Sequence, residues 1–458
     1  MKYDSVQTVS AVYTENPLAK TINPYLEAMP ELVDIKTFTE RLKSLPEIPY
    51  NVELESPEVR RRYLQELNKL FIPMDYMYVI YDMLYRAIEA TYGTKGTVES
   101  IRQLNSVYED FRAGESISHA YSTQAFSGAV LGVPGIGKTS TIIRCLNLIP
   151  QVIVHTKYKD RPNYTKQINY LRVECPSDCS VKTLAFGIVA SIDKAIGSEY
   201  FNQMTLQKSL SASSITTKLK IICMNHHVGV IVIDEIQNAV TTAQKNKQIK
   251  PLIKFLVELT NDTSTSLCFI GTLAAEELFM SEDHLKRRTR GLRLLPMKPD
   301  AIYRNFLDIL WAYQLTLNKT ELTTKIANKL YDYSGGIPAY MVKIYTEAQV
   351  QAILSEKETI DDSMIQKSVN ILSLDVPKTY LRGTSISDFE IKNHESDVLI
   401  ETGDMTEEEG VVKREYANQR GRKAVPRDKY DLINLFEKNM ETDRLIYQLD
   451  QFGLIERI

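Results

Sequence analysis

Apolar positions follow two rhythms along this chain. Between about residues 125 and 297, short apolar and β-branched runs at 129–131, 170–173, 230–233, 267–270 and 292–295 alternate with helical stretches. Runs of that length, separated by helices, predict a parallel sheet covered on both faces. On either side the rhythm is helical. Ser56-Pro57 predicts an N-cap with proline at the first helical position, opening a helix to about Leu70 that Pro73 stops. In the next helix Met77, Ile80, Tyr81, Leu84 and Ile88 share one face, which is either core or a docking surface for a partner. Beyond Asp300 the pattern predicts four helices, over 301–314, 321–333, 338–356 and 361–373. Ser334-Gly335-Gly336 closes the second and Pro338 opens the third.

Composition narrows the class. At 458 residues the chain is too long for one compact core. With 55 basic and 58 acidic side chains the net charge is −3, which excludes a wholly basic nucleic-acid binder and leaves only a local patch for that role. The five cysteines are an odd number, Cys145, Cys175, Cys179, Cys223 and Cys268, spread through apolar segments, so the expected compartment is reducing and cytoplasmic. The opening residues have no apolar signal-peptide core, and no stretch approaches 18 apolar residues, so no membrane is expected as a partner. Residues 395–409 hold seven acidic and no basic side chains, and 413–429 hold seven basic against two acidic, the mark of a solvated linker.

The sharpest chemistry is Gly132-Val133-Pro134-Gly135-Ile136-Gly137-Lys138-Thr139, which fits the P-loop pattern at every fixed position. Its glycines let the backbone N–H groups of the loop, Pro134 excepted, turn toward phosphates, and a helix through Ser140 adds its positive end. Lys138 would reach the β- and γ-phosphates of ATP, and the Thr139 hydroxyl would hold Mg2+. About 95 residues on, the run at 230–233 delivers Asp234 and Glu235 at a strand end, where α/β sheets bind ligands. Asp234 would bind the magnesium through water, and Glu235 is the candidate base for the attacking water.

Two weaker signals follow. Ile270-Gly271-Thr272 ends the next strand, either as a hydroxyl sensing the γ-phosphate or simply as a strand reaching a turn. Residues 286–293 then hold five basic side chains in eight. Either Arg287 or Arg288 is a candidate arginine finger for a neighbouring subunit, the alternative being a solvated basic face.

In this order, the P-loop, the Asp-Glu strand end, the polar strand end, the arginines and the helical segment resemble the AAA+ ATPases over about residues 125–373. The expected fold is therefore α/β, a three-layer parallel sheet core with a small helical lid, a helical N-terminal region and a short helical C-terminal tail. The expected domains are a partner-docking region at 1–110, the ATPase core at 111–297, the lid at 298–375, a charged linker at 376–429 and the tail at 430–458. Within AAA+, Asn16-Pro17-Leu18, the stretch from Asn23 to Pro30, Phe71-Ile72-Pro73-Met74-Asp75-Tyr76, Ile233-Asp234-Glu235-Ile236-Gln237-Asn238 and Ile270-Gly271-Thr272 are similar to the TnsC/TniB transposition regulators of Tn-seven-like transposons.

That resemblance implies an ATP-dependent homo-oligomer, a ring or filament on double-stranded DNA, bridging a target-selection protein to transposase subunits. It carries roles onto Gly137, Lys138, Thr139, Asp234, Glu235 and Thr272. One position departs: many AAA+ lids place an arginine after Gly-x-Pro, where Gly336-Ile337-Pro338 is followed by Ala339, and Lys343 is the substitute a turn later. Contacts to DNA are expected from Lys208, Lys218 and Lys220 before the Asp-Glu strand, or from Lys245, Lys247 and Lys250 after it. Each of these is alternatively a solvated charge. Cys175, Cys179, His226 and His227 are zinc-ligand types, but nothing in their spacing brings them together. Two rival readings remain: another AAA+ DNA machine such as a helicase loader or replication initiator, and a nucleotide switch that does not depend on hydrolysis.

Overall fold

A computed structural model describes residues 6–15, 23–95, 125–206, 211–239, 249–276, 289–374 and 400–402, with positions 109 and 279. In chain order the elements that position the site are β1 (Thr8–Ser10), α1 (Pro57–Tyr63), α2 (Asp75–Thr94), β2 (Ser127–Gly132), α3 (Lys138–Leu146), β3 (Val152–Tyr158), β4 (Arg161–Ile168), β5 (Tyr170–Glu174), α4 (Val181–Ile196), α5 (Ala212–Asn225), β6 (Val230–Asp234), α6 (Ile249–Thr263), β7 (Ser266–Gly271) and β8 (Thr289–Leu294). The helical segment after them holds α7 (Ala301–Trp311), α8 (Thr324–Ser334), α9 (Pro338–Ile353) and α10 (Asp362–Leu372), and β9 is Ile400–Thr402.

The main sheet has the order β5-β6-β7-β2-β8-β9, parallel throughout except for β9, which pairs antiparallel with β8. Alternation along each strand sends successive side chains to opposite faces. Ala129, Leu131, Leu171, Val173, Ile231, Ile233, Leu267 and Phe269 meet α4, α5 and α6 in one core. Val130, Val230, Val232, Cys268, Ile270, Leu292 and Leu294 meet α2 and α3 in the other. The result is the three-layer α/β sandwich the strand spacing predicts, with helices above and below.

The stripe on α2 belongs to that second core. Met77, Ile80, Tyr81, Leu84 and Ile88 are buried against the sheet together with Tyr85 and Tyr92, so this face is core and not a docking surface. Upstream, α1 ends at Tyr63 and tightens into a 3-10 turn over Leu64–Lys69, shorter than the helix expected to Leu70. The reason is packing: Leu64 and Leu67 are both fully buried, and a three-residue spacing eclipses them on one edge only in the tighter helix. Both pack with α7, α8 and α9 in a third cluster that holds Trp311 and Tyr345. All three clusters lie in one compact unit, Met1–Asp404.

A second, three-stranded sheet of order β1-β3-β4 was not expected. Lys159 and Asp160 at its hairpin tip both have positive φ, 44° and 66°, the two-residue turn that matches strand twist. Among the described residues, no helix is long and apolar enough to cross a membrane.

Candidate functional site

The loop between β2 and α3 curls because Gly137 sits at φ 98°, a left-handed conformation that costs glycine little, and it caps the helix. The Gly137 carbonyl accepts the Thr141 N–H at 2.9 Å, which starts α3 directly behind the loop. Lys138 turns back over it, its Nζ donating to the carbonyls of Gly132 at 2.8 Å and Val133 at 3.0 Å. Burial pushes the Lys138 ammonium pKa down, opposed by the negative charges of Glu235 and Asp234. Pro134, Gly135 and Ser140 are exposed at the rim, and Ile136 is buried beneath.

Strand β6 brings the acidic pair to this loop. Thr139 Oγ1 donates to Asp234 Oδ2 at 3.1 Å, and the other Asp234 oxygen accepts the Glu235 N–H at 2.9 Å. Asp234 is 7% exposed and ends the strand, whereas Glu235 is exposed on a left-handed residue, φ 57°. A hydroxyl and a carboxylate at this separation are hard oxygen donors, a set that fits magnesium. Thr272 follows β7 one strand over, and its N–H donates to Gln237 Oε1 at 3.0 Å. Gln237 in turn donates from Nε2 to Glu235 Oε2. The chain Thr139–Asp234–Glu235–Gln237–Thr272 is thus continuous.

The helical segment reaches the loop as well. The Ala339 N–H at the start of α9 donates to the Gly135 carbonyl at 3.3 Å, so the position where many lids carry arginine meets the loop through its backbone N–H. Lys343 is exposed further along α9. Between residues 72–76 and the first turns of α7 lies a cleft of about 280 Å³, lined by Ile72, Pro73, Met74, Tyr76, Ile302 and Phe306 among others. Tyr76 also reaches the loop, its hydroxyl 3.5 Å from the Ile136 carbonyl.

The lysines separate. Lys250 is exposed at the start of α6, and Lys218 is half-buried on α5. Lys220 is a correction: it is 7% exposed, with its ammonium 2.7 Å from Asp262 and 3.7 Å from Glu258, so its charge is neutralised inside the protein and does not face DNA. Lys208, Lys245, Lys247, Arg287 and Arg288 lie outside the described residues, as do Asn16-Pro17-Leu18 and the tail at 430–458. Cys175 follows the C-terminal end of β5, while His226 and His227 precede the N-terminal end of its parallel neighbour β6, at opposite ends of the sheet. His227 stacks on Tyr25 at 3.8 Å, and His226 Nε2 is 2.9 Å from the Tyr200 hydroxyl.

The sequence pattern did not single out Gln237 or the cleft beside Tyr76. A glutamine two residues past the acidic pair was the available signal for the first. The second depends on residues about 230 apart meeting, and no local signal marks it.

Residues 122–279 match the family model of the AAA domain, a stretch that spans the P-loop, the acidic strand end and Thr272. Among solved structures, the chain is similar to the Aeropyrum pernix ORC1 protein in complex with DNA, at 17% identity over 60% of this chain and 64% of that one, TM-score 0.35. It is also similar to Drosophila ORC bound to DNA, at 14% identity over 64% of this chain and 66% of that one, TM-score 0.35. A Thermotoga maritima RuvB variant matches at 14% identity over 62% and 72%, TM-score 0.28. The chain thus spans just under two thirds of the length of these two ORC chains. No match to a curated protein was found.

Proposed function

We propose that this protein is an ATPase acting on DNA as a transposition regulator. The observation that carries the enzymatic part is the contact of Thr139 with Asp234, which sets the P-loop against the acidic strand end with Glu235 next in the chain. In this reading the loop N–H groups and Lys138 hold the phosphates, and the apolar cleft beside Tyr76 takes the base. Thr139 and Asp234 hold the magnesium ion, which when bound neutralises charge on the phosphate oxygens. Glu235 takes the proton of the attacking water as its oxygen bonds to the γ-phosphorus; the bond to the bridging oxygen breaks, and ADP and phosphate leave. Thr272 stands beside the γ-phosphate position, and Arg287 or Arg288 serves a neighbouring subunit.

The DNA part rests on the resemblance of the motif-bearing segments to TnsC/TniB regulators. The protein would oligomerise on duplex DNA with ATP, link a target-selection protein to the transposase, and use hydrolysis to control that assembly. The test has two arms. Glu235→Gln should lower ATP turnover on the order of 100-fold, leaving a measurable residual rate, while nucleotide binding persists; unchanged turnover would sink the hydrolytic role. Electron microscopy with duplex DNA should give rings or filaments with ATP and not with ADP, and bare DNA in both states would remove the assembly reading.

A further inference from the structure

Glu235 is attached to the backbone at a strained point. Its φ of 57° is unusual for a residue with a side chain, and its carboxylate projects from the turn into solvent. A carboxylate in that position has several orientations available, and only some would face a water in line with a phosphate. A neighbouring side chain holds it by a hydrogen bond. Gln237 lies two residues on, and its side chain returns to donate from Nε2 to Glu235 Oε2.

The Gln237 amide is itself oriented. Its Oε1 accepts the backbone N–H of Thr272 at 3.0 Å. In the flipped orientation the NH2 group would oppose that N–H and the carbonyl would oppose the Glu235 carboxylate, an unfavourable pairing at both ends. Gly271 makes the approach possible. A Cβ built there would lie 2.6 Å from Gln237 Oε1 and 2.8 Å from Ile236 Cγ2. The Ile236 N–H donates to the Ile270 carbonyl at 2.9 Å, locking the start of the same turn to β7.

We infer that Gln237 is the positioning residue for Glu235, tying the water-activating carboxylate to the end of β7 through the Thr272 backbone. Glu235 is then poised only while the ends of β6 and β7 keep their register. This assignment rests on the hydrolytic reading of Glu235 above. It gives Thr272 a role carried by its main chain, in addition to any role of its hydroxyl.

The test uses the full-length protein, steady-state ATP turnover and titration with a fluorescent ATP analogue. Gln237→Glu keeps the length and the acceptor for Thr272 but sets a carboxylate against Glu235. Gln237→Met keeps the length and removes both hydrogen bonds. Both should lower kcat on the order of 10- to 100-fold, with KM and analogue affinity within about twofold of wild type. In a Glu235→Gln background, Gln237→Met should cause no further loss, because residues acting as a unit are not additive.

Turnover of Gln237→Glu within about twofold of wild type would overturn the assignment, as would a KM rising in step with the loss of kcat. A further loss of about tenfold in the Glu235→Gln background would show that Gln237 acts elsewhere. Should Gln237→Met fail to fold, Gln237→Glu, which keeps the Thr272 contact, carries the test. Absence of turnover in the wild type would overturn the hydrolytic reading, and this assignment with it.

Discussion

Arg60 grips both carboxylate oxygens of Glu358, at 2.6 and 2.9 Å, across 298 residues of chain. The same guanidinium donates to the carbonyls of Leu315 at 2.9 Å and Glu55 at 3.1 Å, and Glu358 Oε2 accepts the Leu317 N–H at 3.1 Å. With side-chain exposures of 2% and 10%, this is a buried and well-satisfied pair that fastens α1 to the helical segment holding α7 to α10. Removing one partner leaves the other charge buried, so Arg60→Met should cost about 3–5 kcal/mol, and adding Glu358→Met should recover most of it. Thermal melting of the single and double variants measures both. Equal melting points for Arg60→Met and wild type would rule out a stabilising clamp.

The same pair has a pH signature. Arg60 holds the Glu358 carboxyl below its ordinary value of 4.5. A carboxylate whose folded pKa is lowered adds stability that is complete above the unfolded value and lost as pH falls through the folded one. Wild type should therefore lose melting temperature below about pH 4.5 more steeply than the Arg60→Met, Glu358→Met double variant. Parallel curves would refute this.

Lys95 behaves in the opposite sense. It is 5% exposed, its Nζ donating to the Val228 carbonyl and, at 3.2 Å, to Thr265 Oγ1, and burial pushes its ammonium pKa down to about 7. An unfolded lysine titrates near 10.5, so between about 7 and 10.5 the unfolded chain binds a proton that the folded chain does not, and stability rises with pH. Below that window the full burial penalty applies. Lys95→Met should raise the melting temperature at pH 7, by on the order of 3 kcal/mol in stability, with the gain shrinking toward pH 10. A gain independent of pH would mean that the ammonium is not the source of the penalty.

The strands of the main sheet were legible because each is a short β-branched run with both faces buried, and the P-loop was legible because its glycines and lysine are a local string. Helix α2 was legible as an element, but its stripe does not say that it faces β2, β6 and β7. The hairpin of β3 and β4 escaped because its outer half, from Lys157 to Lys166, has no apolar run. Its third strand, β1, comes from more than 140 residues upstream. Lys220 was misread for a related reason. Its counter-ions Glu258 and Asp262 lie on a different helix, and sequence spacing carries no sign of that meeting. Gln237 was in plain view, and only the approach of Gly271 and Thr272 shows what it holds.

Gly271 supplies a test of the site from the opposite strand. A methyl group there would push into Gln237 Oε1, the mobile end of a side chain, and into Ile236 Cγ2, part of a buried residue. The first is relieved by moving Gln237 off Glu235, and the second costs about 1–3 kcal/mol as overpacking. Gly271→Ala should therefore still fold, with a lowered melting temperature, and should lose kcat on the order of tenfold with nucleotide affinity retained. Full turnover in a folded Gly271→Ala protein would show that the Gln237 contact is dispensable.

Lys218 and Lys220 are two residues apart on α5 yet in different surroundings, and that difference makes a test of the DNA reading. If Lys218 and the exposed Lys250 meet the phosphate backbone, each should release about one counter-ion on binding. In fluorescence anisotropy with duplex DNA across about 50 to 200 mM salt, Lys218→Ala and Lys250→Ala should each reduce the slope of log affinity against log salt by about one, whatever the sequence of the duplex. Lys220→Met should leave that slope unchanged. Because Lys220 is paired with Asp262 at 2.7 Å in a buried setting, its loss should instead lower the melting temperature, by about 3–5 kcal/mol in stability. An unchanged slope in the Lys218→Ala, Lys250→Ala double variant would take both lysines off the DNA surface, and salt-independent binding by wild type would discard backbone-led DNA contact altogether.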